Sequence, residues 1–262
     1  EDPALTGGVM HEGWVATRRG LRGIPSASEE NMIARDIALA RQTGSHVHIA
    51  HISTAGGVEL VRRARADGVN VTSEVTPHHL SLTHALVLTG PTAAGTETPV
   101  YETNAKMYPP LRDDADVRAC IEGLADGSID AIATDHAPHA VQEKLCEFDE
   151  AAFGITGLET AFGLSLTAVG TGGLTLERVI EALTSAPARA LHLDRFVPGI
   201  GTLSVGAPAD VVLLDPEREW RVEADDFASK GKNSPIVGRT LRGQVIATIY
   251  GGSVVYDSGA RA

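Results

Sequence analysis

Ser128-Ile129-Asp130-Ala131-Ile132-Ala133-Thr134-Asp135-His136-Ala137-Pro138-His139 begins as a buried strand and ends as a knot of titratable groups. The mostly apolar run from Ile129 to Thr134 has the composition of a strand covered on both faces. Pro138 cannot continue it, because it has no amide hydrogen to give. One carboxylate and two imidazoles therefore gather where a strand stops. In parallel α/β sheets the C-terminal strand ends are where chemistry is carried out. Such a set can hold a divalent metal or move a proton. The plainer alternative is that Asp135 caps the next helix and the histidines are satisfied polar groups.

Working upstream, the same pattern returns twice. Ser45 to Ser53 reads as a strand with His51 near its end. Asn70 to Val75 reads as a strand that runs into Thr76-Pro77-His78-His79. Seven of the ten histidines lie in or beside these three strands, which raises the metal reading above the plain one. Helices alternate with the strands. Ser26-Ala27-Ser28-Glu29 has the form of a capping box after Pro25. The helix it opens puts Ile33, Ile37 and Ala40 on one face and stops near Gly44. Thr54 precedes a helix with Val58 and Val61 inward and Gly68 as its stop. Asp113 or Asp114 starts a third, with Val117, Ile121 and Leu124 on one face. Strand, helix, strand at this spacing means βαβ units and a parallel sheet.

Period two sorts the side chains. Val47, Ile49 and His51 fall on one face, His46 and His48 on the other. If His51 is a ligand its face lines a barrel interior, and His46 and His48 face the helices as structural residues. Ile129, Ala131, Ala133 and Asp135 share a face in the same way, small residues suiting a crowded interior. Residues 1–25 show no clear period. The Thr/Gly/Ala/Pro loop at about 85–103 is too long for a plain connection and reads as a lid or a disordered segment.

Downstream, helices are expected at 157–169 and from Thr175, with Val179, Ile180 and Leu183 buried and Pro187 interrupting. From Pro198 the texture changes to short runs, Asp210 to Leu214, Val245 to Tyr250 and Ser253 to Tyr256, the mark of a β-sandwich piece. The chain divides on this reading into 1–194 and 195–262.

Composition excludes several classes. A chain of 262 residues with 43% hydrophobic residues can bury a sizeable core. A net charge of −12 argues against nucleic-acid binding. No apolar run approaches the roughly 20 residues of a membrane span, and no signal peptide is read. Cys120 and Cys146 form no CxxC pair, which suits a reducing cytoplasm and offers no thiolate metal site.

With these motifs in hand the chain resembles the dihydroorotases of the cyclic amidohydrolase superfamily. The carrying stretches are His51-Ile52-Ser53-Thr54, Glu74 to His79, Pro109-Pro110-Leu111-Arg112, Thr134 to His139 and Phe153 to Thr160. Gly206 to Asp210 and Lys232-Asn233-Ser234-Pro235 match the C-terminal region. The resemblance implies a (β/α)8 barrel with a small β-sandwich, two zinc ions per active site, and reversible interconversion of dihydroorotate and N-carbamoyl-aspartate in pyrimidine biosynthesis. It implies His51 and Asp135 as zinc ligands and Asp135 as general base and acid. It implies His139 as a substrate-binding residue, with Phe153 and Gly154 touching substrate through main chain. His78 and His79 receive no ligand role. A homodimer and an association with aspartate transcarbamoylase stay open.

Two departures stand out. The family's His-x-His pair, its bridging carboxylate and a fifth-strand histidine are not in this sequence, whose opening Glu1-Asp2 matches the residues after that histidine. The chain therefore reads as about the C-terminal three-fifths of an enzyme, a partial barrel with open edges, inactive and poorly soluble alone. Secondly, Tyr108 stands where the family has a substrate-contacting Asn. That keeps allantoinase and hydantoinase, or dihydropyrimidinase, as alternatives. A non-catalytic scaffold for aspartate transcarbamoylase fits less well, because His51, Asp135 and His139 are all present.

Overall fold

The structure, a computed structural model, describes residues 1–90 and 101–259. Its first elements lie where the sequence shows no period. β1 (Met10–His11) and β2 (Gly23–Ile24) pair in parallel around α1 (Trp14–Arg19). Strands of two residues and a helix of six are too short to print a repeat.

The next elements match the expected alternation: α2 (Ala27–Thr43), β3 (Val47–Ile49), α3 (Ala55–Ala66), β4 (Val71–Val75), α4 (Asp114–Asp126) and β5 (Ala131–Ile132). The strands form a parallel sheet in the order β3-β4-β5. α2 stops at Gly44 and α4 at Gly127, both left-handed. Thr54 caps α3 by accepting from Gly57 N. The capping box expected at α2 does not form: Ser26 makes no side-chain cap bond, and Glu29 turns away to Ser53 and Thr54.

One apolar core joins Ile49, Val71, Val75 and Ile132 of the sheet to residues of α2, α3 and α4. It also takes in Val179 and Ala182 of a later helix, Leu176–Leu183. These helices cover one face of the sheet. The opposite face carries His48, Thr72 and Glu74. His48 Nδ1 lies 2.8 Å from Thr72 Oγ1, His48 Nε2 lies 3.2 Å from Glu74, and His46 Nε2 lies 2.8 Å from the same threonine hydroxyl. The expected faces are thus reversed. Val47 and Ile49 go to the helices because apolar burial decides, and the two histidines take the other side. His51 obeys neither set, since β3 ends at Ile49. Ala131 sits opposite Glu74 on the helix-free face. Ile129, before the strand begins, joins the helix-side core.

The chain continues through α5 (Val141–Lys144), α6 (Ala161–Leu166), α7 (Leu176–Leu183) and α8 (Ser185–Ala190). α6 is shorter than the 157–169 expected. Then β6 (Val211–Arg221), β7 (Thr240–Tyr250) and β8 (Ser253–Asp257) make an antiparallel sheet in that order. β6 and β7 run 11 residues each, longer than read from sequence. Pro216 explains the misreading of β6: it falls in a register shift between Asp215 and Glu219 that the strand passes through. A second core joins Val222, Phe227, Ile236 and Leu241 to Val9, Met10, Leu86 and Leu111. Of the loop read as a lid, His84–Thr89 is a 3-10 helix, and residues 91–100 lie outside the described residues. Among the described residues no helix is long and apolar enough to cross a membrane.

Candidate active site

His51 and Asp135 share an unusual backbone. His51 has φ 41° and Asp135 φ 43°; His192 is the third non-glycine residue so placed among those described. A left-handed conformation costs a residue with a side chain about 1–3 kcal/mol and persists only where neighbours over-determine it. Here they do. Ile52 N donates to Glu74 O at 2.9 Å, and the Ile52 side chain is fully buried. Ala133 N donates to Val75 O at 3.0 Å. His136 forms a bridge with Ile155, and its Nδ1 accepts from Gly157 N and Leu158 N, each at 3.2 Å.

Both side chains are half-buried. Burial raises the Asp135 pKa, the imidazole of His51 lowers it, and the Glu74 carboxylate raises it again. The Asp135 carboxylate therefore feels both neighbours. Among the described residues neither the His51 imidazole nor the Asp135 carboxylate makes a hydrogen bond. An imidazole and a carboxylate with free lone pairs, held by strained backbone at two strand ends, suit a hard or borderline divalent cation.

His78 and His79 follow β4, both buried, with ring centroids 4.7 Å apart. His79 is fully satisfied. Its Nδ1 lies 2.9 Å from Thr76 Oγ1, and its Nε2 lies 3.1 Å from Pro109 O. A carbonyl only accepts, so Nε2 carries the hydrogen. His78 Nε2 has no partner among the described residues.

Burial drives the His79 pKa from 6.5 to about 4. Between those values the unfolded chain binds a proton that the folded chain refuses. Stability is therefore complete above pH 6.5 and falls as pH drops towards 4. At 1.36 kcal/mol per unit, His79 accounts for about 3 kcal/mol of that loss. His79→Gln is expected to flatten the acid limb by about that amount in urea unfolding measured from pH 7 to pH 4.

The expected substrate residues also come together. His139 Nε2 donates to Phe153 O at 2.9 Å. The Tyr108 ring meets the Phe153 ring edge-on at 5.4 Å, and Lys106 Nζ stands 4.5 Å from the centre of the Phe153 ring. Gly154 has φ 146°, and a Cβ there would lie 2.7 Å from Ala137 Cβ and 2.9 Å from His139 Nε2. The main chain of Gly154 is committed on both sides: its N–H goes to Lys106 O and its carbonyl accepts from Asn233. Gly154→Ala should push His139 out of place. The expected outcome is at least about a tenfold rise in KM with a smaller change in kcat, read from steady-state kinetics.

Asn233 organises this region, and its role was not visible in the sequence beyond its place in a matched motif. Its Oδ1 accepts from His139 N at 2.8 Å and from Thr156 Oγ1 at 2.8 Å. Its Nδ2 donates to Ala137 O at 2.9 Å and Gly154 O at 3.0 Å. One amide thus ties the His139 turn to the Gly154 turn. A cavity of about 200 Å³ opens beside them, lined in part by His139, Lys144, Lys232 and Asn233.

A second group of metal-capable residues is His11, Asp113 and Asp116, with ligand atoms within 4.8 Å of one another. It contains neither His51 nor Asp135. Asp113 Oδ1 caps α4 through Ala115 N and Asp116 N, and Asp116 Oδ1 accepts from Ala55 N. The Arg112 guanidinium stands 3.4 Å from His11 Nδ1, a positive charge where a cation would have to approach. Each aspartate thus spends one carboxylate oxygen on holding the fold.

Residues 5–255 match the amidohydrolase family. A dihydroorotase of Anaeromyxobacter sp. (strain K) is 54% identical over 260 residues, which is 99% of this chain and 57% of that protein. A dihydroorotase of Pelotomaculum thermopropionicum is 52% identical over 257 residues, 97% of this chain and 56% of that one. The chain thus spans a little over half the length of the curated relatives it matches. Among solved structures, the L-hydantoinase (dihydropyrimidinase) of Arthrobacter aurescens is similar at TM-score 0.78 and 30% identity, covering 89% of this chain and 50% of that one. The family and these structures give the chain an α/β fold of the TIM-barrel type.

Proposed function

This chain belongs to the amidohydrolase family, and from that premise we propose that it acts in a zinc-dependent dihydroorotase. What supports the reading is that His51 and Asp135 are two uncommitted donors in left-handed backbone, and that the His51 imidazole acts on the Asp135 carboxylate. The names of the relatives at 50–54% identity support the substrate.

The residues fit a metal by donor type. His51 would offer an imidazole nitrogen and Asp135 a carboxylate oxygen. Zinc, when bound, lowers the pKa of water from 15.7 to about 7 and so supplies a nucleophile at neutral pH. The rest is the work of side chains. Water oxygen bonds to the ring carbonyl carbon, the bond from that carbon to the ring nitrogen breaks, and a proton must reach that nitrogen. Asp135 takes the proton from the attacking water and delivers it to the departing nitrogen. Before any cation is bound, burial and the Glu74 carboxylate raise its pKa. His139 fixes the substrate, with Phe153, Gly154 and Tyr108 around it.

We extend the reading to architecture. Residues 1–194 form part of a (β/α)8 barrel and 195–262 a β-sandwich segment, supported by the parallel β3-β4-β5 sheet and the antiparallel β6-β7-β8 sheet. The shared core of Val222, Phe227 and Leu241 with Val9 and Met10 makes the two one folding unit. A cytoplasmic setting accords with two unpaired cysteines.

The test is turnover of dihydroorotate, hydantoin and allantoin side by side by the zinc-loaded full-length protein. Dihydroorotate is expected to be opened at least about a hundredfold more efficiently by kcat/KM. Preference for hydantoin would transfer the chain to the second reading, which Tyr108 and the 30% identical hydantoinase favour.

A further inference from the structure

Glu29 is an acidic residue in the first turn of α2 that the reaction above does not use, and it is almost wholly buried. Its Oε1 accepts from Ser53 N at 2.9 Å, Thr54 N at 3.1 Å and Thr54 Oγ1 at 3.1 Å. Its Oε2 accepts from Ser53 Oγ and, at 3.4 Å, from Arg112 Nη2. Arg112, 1% exposed, donates from Nε to Ser53 Oγ at 3.0 Å and from Nη1 to Ile24 O at 3.3 Å.

Five of these seven contacts land on the two residues that follow His51-Ile52. Ile52 is itself fixed, by Glu74 O through its amide and by complete burial of its side chain. The chain leaving His51 is therefore pinned at three consecutive residues, while His51 sits at φ 41°. A left-handed histidine next to a free segment would relax to an ordinary conformation, and its imidazole would swing away. A carboxylate is needed at this position because five donors converge on it. A neutral amide would turn its own N–H groups against Ser53 Oγ or Arg112.

We propose that Glu29, locked by Arg112, is a positioning residue that holds His51 in its strained conformation and so aims its imidazole at the metal. This rests on the reading of His51 as a zinc ligand. Groups that orient a ligand from behind typically change metal affinity or activity by 10–100-fold when removed.

The experiment compares wild type, Glu29→Gln, Ser53→Ala and the control Glu59→Gln, a partly exposed residue of α3 paired with Arg62 and Arg63, in the full-length protein. It reads the zinc dissociation constant by chelator competition, the visible absorption of the cobalt-substituted protein, and kcat and KM for dihydroorotate. Glu29→Gln is expected to weaken zinc binding about 10–100-fold and to alter the cobalt band. It should lower kcat by at least about tenfold while KM moves less than about threefold. Ser53→Ala should shift the same readouts in the same direction by a smaller factor, and it decides alone if Glu29→Gln does not fold. Glu59→Gln should match wild type. A Glu29→Gln protein that is merely less heat-stable, with unchanged zinc affinity and cobalt spectrum, overturns the proposal. Wild type that binds zinc but never opens dihydroorotate defeats the substrate reading instead, and the metal readouts still judge Glu29.

Discussion

Asp135→Asn is expected to slow the proposed opening of dihydroorotate by about 10³-fold or more, with the protein still folded. The amide has the size of the carboxylate but cannot take up a proton at neutral pH. General acid–base catalysis by a positioned side chain contributes about 10²–10⁴-fold, and loss of a metal donor adds to this. The substitution is well tolerated structurally, because among the described residues the Asp135 side chain makes no hydrogen bond that the fold depends on. The measurement is kcat/KM with zinc content determined on the same samples. A variant within tenfold of wild type at full zinc occupancy would remove Asp135 from the reaction. Wild type should also show an acid limb, where protonation removes Asp135 as a base. That limb should vanish from the residual activity of the variant.

Arg112→Met is the largest expected loss of stability. Arg112 is buried at 1% exposure and faces Glu29 at 3.4 Å and Glu1 at 3.6 Å. Removing one member of a buried ion pair leaves the other charge in a place where water cannot reach it, at a cost of about 3–5 kcal/mol. Methionine fills most of the volume, so the loss reports charge and hydrogen bonding and not a cavity. Urea unfolding at pH 7 measures it. Adding Glu29→Gln to Arg112→Met should restore part of the loss, because the stranded carboxylate goes with it. Strictly additive losses would show that the two residues stabilise the fold independently.

Much of this arrangement could be read in advance, and the failures have physical causes. The helices around Ile33, Val58 and Ile121 were legible because each has a long apolar stripe and a glycine or threonine boundary. The strand-end groups His51 and Asp135 were legible because chemistry-bearing residues interrupt apolar runs. Face assignment failed at β3 because period two was carried past a strand only three residues long. At His51 the backbone turns, and alternation ceases to apply. Glu29 looked like a local cap because spacing shows only near neighbours, while its real partners lie 24 and 83 residues away. Asn233 was hidden for the same reason, its contacts being 77 to 96 residues distant.

The antiparallel sheet at the end of the chain has two unlike borders. Along β6, Pro216 withholds a main-chain donor, so another polypeptide laid against that border meets a gap in the ladder. Along β8 (Ser253–Asp257) the register to β7 shifts between Thr248 and Ile249, and Val255 is left as an extra residue without a partner. Among the described residues both borders therefore carry a break in the ladder, of the kind that keeps a stray strand from extending a sheet.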